Sequence, residues 1–253
     1  MGLLEGNVTI ITGGGRGIGY GIARAFAKQG SNLTICGRTE STLLHAKEEL
    51  EKEFDVEVLC VAADGSDEAQ VQNVVDKTIE KYGKINTMVN NAQVSKSGVL
   101  LADHTKEDFD LAIYSGLYAT FFYMKACFPY LKETKGSVVN FASGAGLFGK
   151  PGQSSYAAAK EGIRGLTRVA ATEWGEFGVR ANCVCPLAMT EGLVKWKAEY
   201  PQLFEQTIKG IPLQRFGDPE TDIGSVAVFL ASDLAAYVSG ETITCQGGSG
   251  LRP

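Results

Sequence analysis

VTIITGGGRGIG, residues 8–19, joins an apolar run to a glycine cluster. A short apolar run that ends in glycines is typical of a buried parallel strand. Within the cluster, Gly13, Gly17 and Gly19 have a Gly-x-x-x-Gly-x-Gly spacing. This spacing permits a tight turn and lets a pyrophosphate come close to the N-terminus of the next helix. The segment therefore predicts a strand, a phosphate-binding loop and a helix in succession.

The alternation of strand and helix continues along the chain. Strands are predicted over residues 7–13, 32–36, 56–63, 85–90, 136–143, 179–186 and 240–245. Helices are predicted over residues 17–29, 40–53, 67–82, 106–132, 155–177 and 219–231. Strict βα alternation without a composition break builds a parallel sheet. We therefore predict a single α/β domain over residues 1–253, with a doubly wound parallel sheet in a Rossmann-type three-layer α/β/α arrangement.

Composition limits the range of partners. The 253 residues carry a net charge of −5, which argues against nucleic acid or an anionic membrane surface as the main partner. No apolar run approaches the length of a membrane span. The six cysteines show no metal-type spacing, so no metal site is predicted, and Cys183 and Cys185 are interpreted as buried thiols. The chain starts without the pattern of a secretory signal peptide, and we expect a reducing cytoplasm.

The carboxyl ends of the strands are the positions where such sheets bind ligands. The residues predicted at those ends are Gly13, Gly37, Asp64, Asn90, Ser143 and Pro186. The second strand ends in Cys36-Gly37-Arg38, without the acidic residue that usually holds the ribose hydroxyls of NAD. Arg38 and Arg16 could instead form a fork for a 2′-phosphate, which predicts NADP rather than NAD. The alternative is that both arginines are solvated surface charges.

A second stretch, NFASGAGLFGKPGQSSYAAAK at residues 140–160, places a tyrosine and a lysine four residues apart. The serines before the tyrosine are good helix caps, so Tyr156 and Lys160 are predicted on one face of a helix. An ammonium close to a phenol lowers the pKa of the phenol and makes it a usable acid or base. Ser143 at the strand end could hold the reacting oxygen. The alternative is an ordinary helix-surface pair.

Several motifs occur together in a fixed order. They are TGGGRGIG at residues 12–19, Asp64, NNA at residues 90–92, Ser143, Tyr156-x-x-x-Lys160, and Asn182 before Pro186. In this combination the chain resembles, over nearly its whole length, the classical short-chain dehydrogenase/reductase family. The resemblance implies hydride transfer between a nicotinamide and a carbonyl or alcohol carbon, with no metal required.

The resemblance also implies a role for individual residues. Tyr156 would be the general acid in reduction and the base in oxidation, and Lys160 would lower its pKa and hold the nicotinamide ribose. Ser143 would hydrogen-bond the substrate oxygen and stabilise the charge that develops there. The implied cofactor contacts are Gly13, Gly15, Arg16, Gly17, Ile18 and Gly19 at the phosphates and adenosine, Asp64 and Gly65 at the adenine, Asn91 and Ala92 at the ribose, and Pro186, Met189 and Thr190 at the nicotinamide, together with Tyr156 and Lys160.

Three positions depart from the family pattern. Gln93 and Leu187 stand where family members usually have glycine, and Gly116 stands where most carry a catalytic asparagine that holds a water in the proton relay. The loss of the asparagine implies either an inactive enzyme or a relay that is closed by other waters or by Ser115. Because Ser143, Tyr156 and Lys160 are intact, we expect an active enzyme.

The segments NNAQ, IYSGLYATF, YAAAKEGIRGL, CPLAMT and RFGDPE, with the GG-x-G-x-RP tail, also resemble one subgroup, the bacterial 12α-hydroxysteroid dehydrogenases, which act on bile acids with NADP. This resemblance implies a small apolar ketone or alcohol substrate of the steroid type, and it makes the three departures a shared feature of the subgroup. The alternatives are a 3-oxoacyl-carrier-protein reductase, a general carbonyl reductase, or an NADP-binding sensor that lost catalysis at Gly116.

Residues 187–219 break the βα rhythm, with one short amphipathic segment around residues 193–208. We predict that this insert is a mobile lid whose apolar residues cover a large apolar substrate. The residues in question are Trp196, Tyr200, Leu203 and Phe204. The alternative is that they form an ordinary local core.

A stripe of small residues, Ala158, Gly162 and Gly165, follows the predicted Tyr156 helix. Small stripes allow a close approach between helices, and members of the resembled family usually pair this helix and the preceding long one across a dimer. The stripe therefore predicts a homodimer or a homotetramer.

Overall fold

A computed structural model describes residues 2–250 of the chain, so the last three residues of the GG-x-G-x-RP tail lie outside it. Seven parallel strands form one sheet in the order β3-β2-β1-β4-β5-β6-β7. The strands are β1 Val8–Thr12, β2 Asn32–Gly37, β3 Val58–Ala62, β4 Thr87–Asn90, β5 Ser137–Phe141, β6 Arg180–Pro186 and β7 Thr242–Cys245. The helices are α1 Gly17–Lys28, α2 Glu40–Glu53, α3 Glu68–Tyr82, α4 Lys106–Ala112, α5 Ala119–Thr134, α6 Gly144–Phe148, α7 Ser154–Glu173, α8 Glu191–Glu199, α9 Pro201–Lys209 and α10 Ser225–Ala231.

The sheet is covered on both faces, as the doubly wound prediction requires. All five residues of β1 are buried, and successive side chains of a strand point to opposite faces. Ile11 packs in an apolar cluster with Phe26 of α1, whereas its neighbour Ile10 packs in a second cluster with Val71 of α3. The buried apolar runs of the sequence are therefore strands between two helical layers, and the predicted three-layer α/β/α fold is confirmed.

Local capping fixes the helix ends that the sequence predicted. The Asp67 carboxylate accepts from the backbone N–H groups of Ala69 and Gln70 and so begins α3. Gly83 ends the same helix in the left-handed conformation, with φ of 73°. Helix α2 spans the predicted residues Glu40–Glu53.

The long helix predicted over residues 106–132 is interrupted. A π-helical turn at Ile113–Tyr118 separates α4 from α5. The Ser115 hydroxyl bonds the carbonyl oxygens of Leu111 at 2.6 Å and Val94 at 2.8 Å, so this turn is tied to the loop that follows β4. The apolar periodicity of the sequence continues through the turn, and the interruption depends on a contact with a distant segment that periodicity does not record.

Three further boundaries differ from the prediction. The helix predicted over residues 155–177 is α7 followed by a 3₁₀ turn at Gly175–Phe177, and the one predicted over residues 219–231 begins as a π turn at Pro219–Gly224. The insert at residues 187–219 holds two helices, α8 and α9, where one amphipathic segment was predicted. The short helix α6 was not predicted at all. None of the helices within residues 2–250 combines the length and the apolar character that a membrane crossing needs.

Candidate active site

The glycine loop between β1 and α1 is shaped by close backbone approach. Gly13 and Gly17 have φ of 68° and 56°, a conformation that side chains with a Cβ rarely adopt. A Cβ on Gly19 would lie 2.2 Å from the carbonyl oxygen of Gly13, where no atom fits. The loop conformation therefore favours glycine at positions 13 and 17 and requires it at position 19, and it leaves the N-terminus of α1 open at the carboxyl edge of the sheet.

Thr12 ties the glycine loop to the end of β4, a role that the sequence did not indicate. Its hydroxyl accepts from the backbone N–H groups of Asn91 and Ala92, each at 3.0 Å. In return the Asn91 side-chain amide donates to the Thr12 carbonyl at 3.1 Å. A hydroxyl at a strand end is the only signal that could have pointed to this contact.

A cavity of about 770 Å³ opens beside the glycine loop. Ten of the implied cofactor contacts line it: Gly13, Gly15, Arg16, Gly17, Arg38, Asp64, Gly65, Asn91, Ala92 and Thr190. The other implied contacts do not line it. Ile18 packs against the core below the loop, and Met189 packs with Phe204 and Phe216 of the insert. Pro186 lies at the end of β6.

Two exposed arginines stand at the wall of this cavity. Arg16 caps α1, Arg38 follows β2, and neither guanidinium group forms a hydrogen bond or a salt bridge with residues 2–250. The Asp64 carboxylate accepts from the backbone N–H and the hydroxyl of Ser66, at 2.9 and 2.7 Å. These hydrogen bonds, with a smaller contribution from the charge of Arg38, lower the pKa of Asp64. The wall therefore presents two guanidinium groups that form no salt bridge with a carboxylate of residues 2–250.

Ser143, Tyr156 and Lys160 lie together at the ends of neighbouring elements. The Ser143 hydroxyl accepts from the Ala145 N–H at 3.1 Å, which caps α6, and it is hydrogen-bonded to Tyr156. The Lys160 ammonium donates to the Phe141 carbonyl oxygen at 2.6 Å, at the end of β5. Its nitrogen lies 5.5 Å from the centroid of the Tyr156 ring. The three side chains are one polar cluster, and they are not among the residues that line the 770 Å³ cavity.

Burial changes the electrostatics that we expected at this cluster. Lys160 is only 3% exposed, and desolvation lowers its pKa to about 8. Desolvation also raises the pKa of Tyr156, and its hydrogen bond with Ser143 opposes this rise. The expectation that Lys160 lowers the pKa of Tyr156 is therefore wrong for this structure. The reason is that the ammonium bonds a carbonyl oxygen and faces the ring, so desolvation dominates for both groups.

Two of the three departures from the family pattern touch each other. A Cβ on Gly116 would lie 2.6 Å from the Cδ atom of Gln93, so the carboxamide of Gln93 occupies the space in front of Gly116. Ser115, the residue considered above for the proton relay, bonds the backbone of Val94 and Leu111. Its hydroxyl hydrogen is thus committed to a structural contact.

His104 contacts the helix that carries Tyr156 and Lys160. Its ring nitrogens lie 2.9 Å from the Ser155 hydroxyl and 3.1 Å from the Ser154 hydroxyl. Thr105 caps α4 by accepting from the Asp108 N–H, so His104 stands directly before the start of that helix. The clamp on α7 was not foreseen, because it joins residues about fifty positions apart.

The insert forms a small apolar cluster of its own. Phe204 is 3% exposed and its ring centroid lies 5.7 Å from that of Trp196. Tyr200 and Leu203 are 54% and 50% exposed. For Trp196 and Phe204 the local-core alternative therefore describes this structure, whereas the exposed pair is free to contact another molecule.

The stripe of small residues on α7 is divided between two environments. A Cβ on Gly162 would lie 2.8 Å from the side chain of Leu117, so Gly162 serves a contact within the chain. Gly165 has no other atom near the position of a Cβ, and Ala158 is exposed.

The cysteines and acidic residues in the described part of the chain form neither a reactive thiol site nor a metal site. All six cysteines lie within residues 2–250 and none forms a disulfide; Cys183 and Cys185 are buried as predicted. Burial raises the pKa of Cys183 to about 11 and that of Cys36 to about 12, so these thiols are poor nucleophiles. No group of three His, Cys, Asp or Glu side chains in the described part of the chain could hold a metal ion.

Known proteins resemble this chain over nearly its whole length. A family model described as enoyl-(acyl carrier protein) reductase matches residues 13–249. A 12α-hydroxysteroid dehydrogenase of a Clostridium species is 58% identical and covers 100% of both chains. A 3-oxoacyl-[acyl-carrier-protein] reductase of Thermotoga maritima is 38% identical and covers 97% of this chain and 98% of its own. The crystal structure of a levodione reductase matches with a TM-score of 0.91 at 34% identity, over 98% of each chain.

Proposed function

Since this chain belongs to the short-chain dehydrogenase/reductase family and is an oxidoreductase that acts on CH–OH groups, we propose that it transfers hydride between NADP and a hydroxysteroid of the bile-acid type. The observation that carries the proposal is the cluster of Ser143, Tyr156 and Lys160 at the carboxyl edge of the sheet. The cluster supplies an acid, a hydrogen-bond donor and a buried positive charge in one place.

The chemistry of the cluster follows from its groups. When bound, the nicotinamide supplies or accepts the hydride. Tyr156 and Ser143, which are hydrogen-bonded to each other, would both bind the carbonyl oxygen of the substrate, and the Tyr156 hydroxyl would give it a proton. The phenolate left behind would regain its proton from the Lys160 ammonium, which faces its ring. In oxidation the same groups act in reverse, with the phenolate as base.

The geometry of the cavity fits a phosphorylated dinucleotide. The glycine loop lets phosphate oxygens come close to the N-terminus of α1, and Thr190 and Asn91 line the part of the cavity nearer the insert and β4. Arg16 and Arg38 would bind the 2′-phosphate of NADP, because both are exposed at the wall and form no salt bridge with a carboxylate of residues 2–250. Neither Pro186 nor Met189 lines the cavity, and Met189 would reach the nicotinamide only with a shift of the insert.

The steroid assignment rests on similarity and on the insert. The 58% identical relative is named for action on a 12α-hydroxysteroid. The insert places exposed Tyr200 between its two short helices and exposed Leu203 on the second of them, and Thr190 caps the first. We propose that residues 187–219 act as a lid whose exposed apolar side chains cover the steroid rings.

A carrier-protein reductase is the second candidate, favoured by the 38% identical relative. An acidic carrier would need a basic surface near the lid. Lys195, Lys197 and Lys209 lie there, but the exposed Glu191 and Glu199 dilute their charge. The steroid therefore remains the better-supported substrate.

The test is a substrate panel with purified protein. Bile acids that carry a 3α-, 7α- or 12α-hydroxyl are oxidised with NADP⁺ or NAD⁺, and an acetoacetyl thioester is offered with NADPH. We expect turnover of the 12α-hydroxyl with NADP⁺ to exceed every other combination. Turnover of the thioester alone would establish the reductase, and tight NADPH binding without any turnover would establish a sensor.

Assembly and compartment form part of the proposal. Tyr114, Tyr118 and Phe121 are 48%, 41% and 41% exposed along the π turn and α5, which supports burial of this face in a homodimer or homotetramer. Six cysteines without a disulfide support a reducing cytoplasm. A mass of two or four chains in light scattering at micromolar concentration is the expected result, and a monomeric mass would refute the assembly.

A further inference from the structure

The carboxamide of Gln93 lies against Gly116 and fills the space that a side chain at position 116 would need. Gly116 has no Cβ, and the Cδ, Oε1 and Nε2 atoms of Gln93 lie 2.6, 2.8 and 2.9 Å from where one would be. The Nε2 atom faces the carbonyl oxygen of Ala112 at 3.5 Å. Because an amide nitrogen is the donor, this contact orients the carboxamide and directs its oxygen to the other side.

The Oε1 atom of Gln93 is an acceptor without a donor. It is buried, and no donor within residues 2–250 reaches it. The same holds for the Oδ1 atom of Asn90, three residues earlier, whose amide nitrogen donates to Asn140 at 2.8 Å. Both residues line the 770 Å³ cavity. Buried carbonyl oxygens are almost always hydrogen-bonded, and in a polar, roomy site the usual donor is an ordered water.

The buried ammonium of Lys160 has more hydrogen-bond donors than the Phe141 carbonyl oxygen uses. It carries three donors, and one of them is used by the Phe141 carbonyl oxygen. The segment that carries Gln93 follows β4, and the Phe141 carbonyl that Lys160 bonds ends the neighbouring strand β5, since Asn90 pairs with Asn140. The π turn lies between Gln93 and the helix that carries Lys160, since Gly116 contacts Gln93 and Leu117 contacts Gly162 of α7. A π turn within a helix is often found at a functional site.

We propose that Gln93 is a positioning residue of the reaction: its carboxamide, seated on Gly116, holds an ordered water that returns protons to Lys160. The proposal rests on the proposed function and deepens it. In ketone reduction the hydride forms the C–H bond and the Tyr156 hydroxyl gives its proton to the oxygen. The phenolate regains a proton from the Lys160 ammonium, the resulting amine takes one from the water, and the water takes one from solvent. One proton from solvent is consumed for each ketone reduced.

The water itself can be observed without turnover. A crystal structure of the cofactor-free protein at a resolution that shows solvent is expected to contain a water within hydrogen-bond distance of Gln93 Oε1. A dry environment around Oε1, or a protein donor on it, would overturn the proposal. This result is independent of the substrate, so it separates failure of the water site from failure of the steroid assignment.

Substitutions test whether the water serves the reaction, using any ketone that the wild type reduces. Gln93→Leu keeps the size of the side chain and removes the acceptor, so kcat is expected to fall about 10-fold or more with KM changed less than about 3-fold. Gln93→Glu keeps an acceptor oxygen, so it should retain more activity than Gln93→Leu. It should also move the pH profile, because a carboxylate near an ammonium raises the pKa of that ammonium.

Gly116→Ala tests whether the contact between the Gln93 carboxamide and Gly116 matters for the reaction. Its Cβ would displace the Gln93 carboxamide, and kcat is expected to fall as far as in Gln93→Leu. When Gln93→Leu is already present, adding Gly116→Ala should lower kcat by less than a further factor of about 2, because the coupling between residues 93 and 116 is already lost. Gly175→Ala, where a Cβ meets open space, is the control. An unchanged kcat in Gln93→Leu, or additive losses in the double variant, would overturn the role of Gln93.

Discussion

The glycine-loop cavity (the nucleotide end) and the cluster of Ser143, Tyr156 and Lys160 (the reaction end) differ in how far their charged groups are exposed to water. At the nucleotide end, a loop of glycines shapes the backbone, and Arg16 and Arg38 stand exposed at a wide cavity. At the reaction end, Lys160 is 3% exposed and burial sets the pKa values of both Lys160 and Tyr156. Under the proposed function, the comparison teaches that binding relies on backbone shape and solvated charge, whereas acid–base chemistry relies on charge that has been removed from water.

The largest expected effect is on the shape of the nucleotide end. Gly19→Ala places a Cβ 2.2 Å from the Gly13 carbonyl oxygen, and backbone cannot move aside as a side-chain tip can. We expect a loss of roughly 3 kcal/mol or more in the free energy of unfolding, together with loss of NADPH binding. Urea unfolding and fluorescence titration measure the two. Gly175→Ala is the control that should leave both unchanged, and a Gly19→Ala protein with native affinity would break the argument from shape.

The reaction end is sharpened by the pH dependence of Lys160. Below about pH 8 the folded state must hold a buried Lys160 ammonium. Between pH 8 and the pKa of Lys160 in the unfolded chain, the folded state has lost that proton, whereas the unfolded state retains it. Stability from this group therefore rises with pH across that window, by about 3 kcal/mol. In Lys160→Met this rise should be absent, so the variant should be the more stable protein at pH 7 and lose its advantage by pH 10.5.

The measurement is the difference in unfolding free energy between wild type and Lys160→Met in the absence of cofactor. Thiols on which the charge of Lys160 does not act, such as Cys60, whose pKa burial raises to about 11, titrate in both proteins and cancel in the difference. A difference that does not vary with pH would show that desolvation does not govern this end of the site.

The charge of the nucleotide end is tested through Arg38. Arg38→Asp should weaken NADPH binding about 100-fold and change NADH binding less than about 3-fold, because only NADPH carries a phosphate for the guanidinium. Arg38→Lys keeps the charge and loses the fork, so an intermediate loss for NADPH is expected. Dissociation constants for both cofactors decide it, and equal effects on the two would eliminate the 2′-phosphate assignment.

The smallest expected effect concerns how the reaction end is held in place. His104→Phe removes both hydrogen bonds to α7 and leaves the fully buried Ser155 hydroxyl without that partner. We expect a loss of about 1–2 kcal/mol in stability and a reduction of a few-fold in kcat. Ser154→Ala removes only the bond of the half-buried serine and should cost less. Equal losses in the two variants would show that His104 does not anchor the helix through Ser155.

The nucleotide end was largely predictable because its signals are local. The spacing of Gly13, Gly17 and Gly19 sets a turn within one short segment, and Asp67 caps its helix from two residues away. Strands buried on both faces read as continuous apolar runs, so the topology followed from the order of the elements.

At the reaction end, the sequence indicated which side chains lie together but not the direction of their pKa shifts. Motif order identified Ser143, Tyr156 and Lys160, whereas the direction in which the pKa of Tyr156 moves depends on burial, which only the packed fold determines. The contact between the Gln93 carboxamide and Gly116 could not be predicted from the sequence either. It joins residues on different elements through a π turn, and the sequence shows the two departures only as separate substitutions.

The division between the two ends is tested most directly by Tyr156→Phe. In parallel assays, NADPH binding is titrated and reduction of a 12-oxo bile acid is followed for wild type and variant. Because Tyr156 does not line the nucleotide cavity and its phenol is proposed to serve the reaction, the dissociation constant should change less than about 3-fold, while kcat should fall about 10³-fold. Retained turnover, or turnover and NADPH binding lost together, would contradict the account.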